Sequence, residues 1–254
     1  QTTPDHLRGT WRDAKPAKIA TSLAAALRRP THGWLVAAAS VDVPADRTLM
    51  RTIAGREVVL WRDTDGSVLA GPGACPHLGA RLEDCDVVDG TVLCRWHGMP
   101  LGRDTRPRWA TYASYDDGVL VWVRLGQVEP GEQPTDTPVL ATRPPLADSI
   151  ASVISLAVTC EPRDIIANRL DPWHGAHFHP YSFAALTVLG SDDDVLKVRV
   201  AKRLVGRLCA ETDATFNSPE PRSIVMTIVE GEGKGSVVEA HATPIEPGRT
   251  AVVE

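Results

Sequence analysis

Basic charge is scarce in this chain. Its 27 lysines and arginines face 32 aspartates and glutamates, for a formal net charge of -5. With no basic excess to neutralise phosphates, non-specific nucleic-acid binding is excluded as its main role. Long apolar runs are lacking too. The best stretch, Gly33 to Val41, is alanine-rich and well short of the roughly 18 residues of a spanning helix. No signal peptide is evident, so a cytoplasmic location is expected. The five cysteines are an odd number without a regular framework, which fits free thiols in a reducing compartment better than a disulfide scaffold. There is no internal repeat and no glycine motif for a flavin or nicotinamide. Gly231-Glu-Gly-Lys-Gly235 lies between two strand patterns and reads as a hairpin loop. The 43% hydrophobic and 23% charged residues are those of a globular protein, and 254 residues suit one large domain or two ordinary ones.

The patterning divides the chain. Residues 1–32 form an N-terminal segment whose helix, Pro16 to Arg29, carries Ile19, Leu23 and Leu27 at i, i+4 and i+8 and stops at Pro30. From 33 to 126 the pattern is short strands and tight turns, including Trp34 to Ala37, Leu49 to Ile53, Val58 to Trp61, Val68 to Ala70 and Val119 to Val123. Asp65-Gly66 is a hairpin signal among them. Five prolines mark a linker over 127–146. Over 147–254 a strand at Ser152 to Thr159 precedes a helix from Pro162 to Trp173, then a series of strands that runs to the end. A small all-β domain followed by a helix against an antiparallel meander is an α+β layout. The start at Gln1 and the stop within a strand pattern at Glu254 suggest a piece of a longer protein.

Two constellations carry the chemistry. The first is Cys75-x-His77, sixteen residues, then Cys94-x2-His97. Thiolates and imidazoles in this number admit a tetrahedral zinc or a cluster of mixed ligation. Zinc loops usually give two like ligands each, whereas here each loop gives one Cys and one His. That suits a two-iron cluster with both thiolates on one iron and both imidazoles on the other. The second constellation is Asn168-x2-Asp171-x2-His174-x4-His179. Steps of three stack Asn168, Asp171 and His174 on one helix face. His177 would be the better helical partner for His174, so the helix must bend or end near Gly175 if His179 is to share a metal with it.

Both constellations resemble those of one family. Cys75-Pro-His-Leu-Gly79 and Cys94-Arg-Trp-His-Gly98 resemble Rieske loops, with Ala80 and Trp96 where respiratory Rieske proteins carry extra cysteines. Asn-x2-Asp-x2-His-x4-His after such a domain is similar to the iron motif of Rieske-type non-heme iron oxygenases. The resemblance implies a Rieske domain, a linker and a helix-grip (START-like) catalytic domain. It implies a [2Fe-2S] cluster on Cys75, His77, Cys94 and His97, and a mononuclear Fe(II) on His174 and His179. Asp171 would connect an iron-bound imidazole to a Rieske histidine of a neighbouring subunit in a homotrimer, with Asn168 in support. The implied activity is O2-dependent hydroxylation or other oxidation of a small apolar organic substrate, with electrons from a separate ferredoxin or reductase. The third iron ligand is a carboxylate, and none of Glu211, Asp213, Glu239, Glu246 or Glu254 sits in a matching context, so it is expected beyond Glu254. The alternative is a Rieske electron carrier or binding protein with an incomplete, inactive iron site.

Overall fold

A computed structural model describes residues 14–103, 105, 109–126, 131–174, 183–191, 195–205 and 208–254. The first element among the described residues is α1 (Pro16–Leu27). Strands β1 (Trp34–Ala39), β2 (Leu49–Ile53), β3 (Arg56–Arg62), β4 (Val68–Pro72), β5 (Asp86–Val88), β6 (Thr91–Leu93), β7 (Pro100–Leu101), β8 (Ala113–Asp116) and β9 (Leu120–Arg124) follow. They form three three-stranded sheets in the orders β1-β9-β8, β2-β3-β4 and β5-β6-β7. The patterning anticipated β2 and, to within one to three residues, β1, β3, β4 and β9. It gave no sign of β5 to β8, which are two to four residues long and too short to show an alternation.

Unlike a sheet with one wet face, β1 is buried at all six positions. The reason lies in its two-residue alternation. Leu35 and Ala37 join Val121 and Val123 of β9 in a core against β2 to β4. Trp34 and Val36 join Leu120, Trp122 and Val253 on the other side. A continuous apolar run is what a strand covered on both faces requires.

After the proline-rich segment come β10 (Ser155–Val158), α2 (Pro162–Arg169), β11 (Phe183–Ser191), β12 (Val195–Val205), β13 (Leu208–Asn217), β14 (Ser223–Gly231), β15 (Val237–Glu246) and β16 (Arg249–Val253). They make one antiparallel sheet in the order β10-β16-β15-β14-β13-β12-β11, so the first strand closes on the last. The chain is thus α+β, with a small all-β unit preceding an antiparallel sheet that carries helices on one face. On that face Ile166 and Leu170 meet Ile224 and Ala240, with Ile19, Leu23 and Ala26 of α1 packed beside them. The buried stripe of α1 therefore runs through Ala26, while Leu27 is half exposed, as a period of 3.6 demands.

The segment before β10 is fastened down rather than free. Glu132 accepts hydrogen bonds from the Thr31 and His32 amides, both 2.8 Å, and from the Thr31 hydroxyl at 2.9 Å. Trp34 Nε1 donates to Thr135 at 3.2 Å. Among the described residues 131–145 no helix or strand forms, and the prolines could not show what this stretch lies on.

Candidate functional site

The two Cys–His loops are built alike. Cys75 N–H donates to Ala80 O at 2.8 Å and Cys94 N–H to Met99 O at 3.0 Å, in each case five residues on. Gly79 N–H returns to Cys75 O at 2.9 Å and Gly98 N–H to Cys94 O at 2.8 Å. These closures need left-handed backbone at the glycines, with φ of +75° and +67°. Any side chain there would cost about 1–2 kcal/mol.

The repeated fold sorts the donors by depth. Cys75 and Cys94 are 3% and 2% exposed, in a core with Met50, Trp61, Leu82 and Trp109. His77 and His97 lie outside it, exposed, with ring centroids 4.9 Å apart and planes at 75°. Exposed Leu78 and Trp96 flank them. Burial pushes the Cys75 thiol up, and the neighbouring Cys94 adds to the shift, so holding Cys75 as a thiolate calls for positive charge beside it. Among the described residues no three His, Cys, Asp or Glu side chains converge on one ion. A two-iron cluster takes two ligands per iron, and two buried sulfurs with two outer imidazoles fit it. Cys85, 1% exposed in the same core, lies on neither loop.

The second constellation departs from a continuous helix. Helix α2 ends at Arg169, with Leu170 as its C-cap, so Asn168, Asp171 and His174 do not share one helix face as their spacing predicts. The cause is Asp171-Pro172: a residue before proline is pushed out of the helical region. Asp171 instead starts a new turn, and its Oδ1 accepts the Trp173 amide at 3.1 Å in the manner of an N-cap. Its carbonyl accepts a hydrogen bond from His174 Nδ1. Asn168 is exposed in the last turn of α2. His177 and His179 lie outside the described residues.

The sheet separates this turn from a second polar cluster. Ala240 faces α2, so Glu239 and His241, its neighbours in β15, face the other way, toward β9. There Arg143 binds both oxygens of Glu239, Nη2 to Oε2 being 2.9 Å, and its Nη1 lies 2.9 Å from Asp117 Oδ1. His241 Nε2 is 3.1 Å from Glu239 Oε2, and the Trp122 ring stands edge-on to His241 at 5.0 Å. Burial alone would raise the Glu239 carboxyl, but the hydrogen bonds of Arg143 and His241 outweigh it and hold the group at about 2. Asp117 is likewise lowered against its burial, by Arg143, two backbone amides and Trp122 Nε1. A cleft of about 1120 Å³ opens at this junction, with Arg143, Ile150, Ile154 and His241 in its wall. The sequence reading missed this cluster; the one signal for it was Glu239 and His241 two apart in a strand.

Other carboxylates weighed as a third iron ligand are also engaged. Asp213 is paired with Arg199 at 2.7 Å, Glu246 with Arg249 at 3.5 Å, and Glu254 with Arg169.

Residues 33–115 match the Rieske [2Fe-2S] domain family, and residues 129–254 match a domain of unknown function, DUF5914. The vanillate O-demethylase oxygenase subunit of a Pseudomonas species is 27% identical over 168 residues, 60% of this chain and 46% of that protein. The dicamba O-demethylase oxygenase component of Stenotrophomonas maltophilia is 30% identical over 120 residues, 41% of this chain and 35% of that protein. In structure, dicamba monooxygenase bound to dicamba superposes with a TM-score of 0.60 at 18% identity, over 88% of this chain and 76% of that one. This is a protein with a Rieske domain joined to a second, antiparallel-sheet domain. Its sequence relatives are named as oxygenase components, and its fold is that of the oxygenase it superposes on. The chain spans about half or less of the length of these two sequence relatives.

Proposed function

We propose that the protein is the oxygenase component of a system that uses O2 to hydroxylate or otherwise oxidise a small apolar organic molecule. The observation that carries this reading is the presence, in one chain, of two matched Cys–His loops and a separate Asp171–His174 turn on a second domain. A carrier of electrons needs only the first.

In this reading Cys75 and Cys94 hold a [2Fe-2S] cluster from within the core, and His77 and His97 hold it from the exposed side. Bonding of His174 Nδ1 to the Asp171 carbonyl fixes the tautomer that presents Nε2 to a metal, the usual arrangement for a ligating histidine. His179 is the second imidazole ligand of a mononuclear Fe(II), and a carboxylate still to be identified is the third. Bound together, these groups supply one-electron reduction and an open position for dioxygen. The exposed imidazoles, with Leu78 and Trp96 beside them, suit contact with another protein surface. We assign that contact to the Asp171 turn of a neighbouring copy in a homotrimer, with Asn168 in support. A separate ferredoxin or reductase supplies the electrons.

A single-turnover experiment tests this, with reduced protein, O2 and a panel of small aromatic compounds that sets neutral alkyl- and methoxy-arenes beside vanillate and dicamba. Wild-type protein should yield oxidised product, and Asp171→Ala should keep the cluster's visible spectrum while forming none. Product formation unchanged in Asp171→Ala would overturn the assigned route. Reoxidation without product across the panel would favour the electron-carrier reading.

A further inference from the structure

Arg143 stands where three parts of the chain meet. Asp117 belongs to the β8–β9 turn of the Rieske unit, Glu239 to β15 of the large sheet, and Arg143 to the segment that joins them. All three side chains are withdrawn from water: Arg143 is 18% exposed, Asp117 4% and Glu239 10%. Each carboxylate is also held from its own side. Asp117 accepts the Val119 and Leu120 amides at 2.9 and 2.7 Å and Trp122 Nε1 at 2.9 Å, and Glu239 meets His241. Neither acid can swing away to water without breaking those bonds. With one guanidinium between two carboxylates, the sign of the force across the junction depends on Arg143. It is attractive while the cation is present and repulsive without it, in a setting where an unpaired charge is costly.

Among the described residues, the other contacts across the junction are neutral or bear on a single backbone carbonyl. Ala54 and Gly55 amides donate to Pro244 and Ile245 carbonyls, both at 2.7 Å. Thr243 Oγ1 donates to Val36 O at 2.8 Å, and Arg222 Nη2 to Trp34 O at 2.8 Å. An apolar patch of Trp34, Val36, Leu120, Trp122 and Val253 fills the centre. None of these would offset a buried pair of like charges.

We propose that Arg143 is a positioning residue, a charge lock that fixes the cluster-bearing unit in one orientation on the seven-stranded sheet. Its consequence for turnover rests on the oxygenase reading, because the lock would set where His77 and His97 are presented to a neighbouring copy. The lock itself does not depend on that reading.

The test uses the oxidised holoprotein carrying Cys160→Ser, with one spin label at Val41→Cys, a position 85% exposed on the Rieske unit, and another on the native exposed Cys209 of β13. Labelled chains are diluted into an excess of unlabelled protein, so that only distances within one chain are read. Wild-type protein should give a single narrow inter-label distance. Arg143→Met should broaden it at least twofold with the cluster spectrum retained. The double variant Arg143→Met/Glu239→Gln, which removes the repulsion as well as the attraction, should narrow it again. Arg143→Lys, unable to bridge both acids with one planar group, should fall between. A wild-type distribution in Arg143→Met would overturn the proposal. So would breadth that Glu239→Gln fails to reduce, or cluster loss in both the Met and Lys variants, since either marks a packing role. If the wild-type protein forms no product, the oxygenase reading fails and the distances still judge the lock.

Discussion

The rings of His77 and His97 lie 4.9 Å apart on two loops closed by the same hydrogen bonds, while the cysteines of those loops are buried beneath them. One side of the site is therefore sulfur in an apolar core and the other is imidazole nitrogen at the surface. Replacing Cys75 or Cys94 by Ala should abolish the cluster's visible absorbance. His77→Cys should retain a two-iron cluster but shift its potential from the Rieske range, about -150 to +300 mV, toward about -400 mV. Redox titration followed by electron paramagnetic resonance reads both changes.

Gly98 has φ of +67° with open space where a Cβ would stand, so only backbone strain opposes a side chain. Gly98→Ala should cost about 1–2 kcal/mol. Gly102→Ala, also in open space but without positive φ, should cost well under that and serves as the control. Urea unfolding of the holoprotein measures the difference.

The part of the site that depends on local chemistry was readable in the sequence. Cys75-x-His77 and Cys94-x2-His97 with their glycines specify two matched loops because the closing bonds run between residues four and five apart. The Asp171 turn was read less well. Equal spacing suggested one helix, and the preference of a pre-proline residue for extended backbone overrode it. The Arg143 cluster was out of reach, because Asp117, Arg143 and Glu239 are separated by 26 and 96 residues and only the docking of two sheets brings them together. The apolar run in β1 is consistent with cover on both faces but does not show which second sheet supplies it.

Asp171 has a capping role that can be separated from its charge. Asp171→Asn keeps an oxygen for the Trp173 amide and should hold stability within about 0.5 kcal/mol, whereas Asp171→Ala should cost about 0.5–2 kcal/mol. If the carboxylate charge is what turnover needs, Asn should be as inactive as Ala while melting like wild type. Thermal unfolding beside single-turnover assays checks this.

Glu239 links stability to acid. Its folded value of about 2 lies below the ordinary 4.5, so the stabilisation is fully present above about 4.5 and is lost as pH falls toward 2. At neutral pH that contribution is up to about 3 kcal/mol. Wild-type protein should therefore lose more stability than Glu239→Gln between pH 5 and pH 2.5, as read from urea midpoints. Equal losses would place the acid sensitivity elsewhere.

The central claim is that one chain holds both a two-iron cluster and a separate iron. Iron content measured on the protein as its gene encodes it, purified without oxygen and offered Fe(II), decides it most directly. About three irons per chain are expected, falling to about two in His174→Ala with the cluster spectrum unchanged. Two irons in the wild-type protein, with no uptake of added Fe(II), would contradict it.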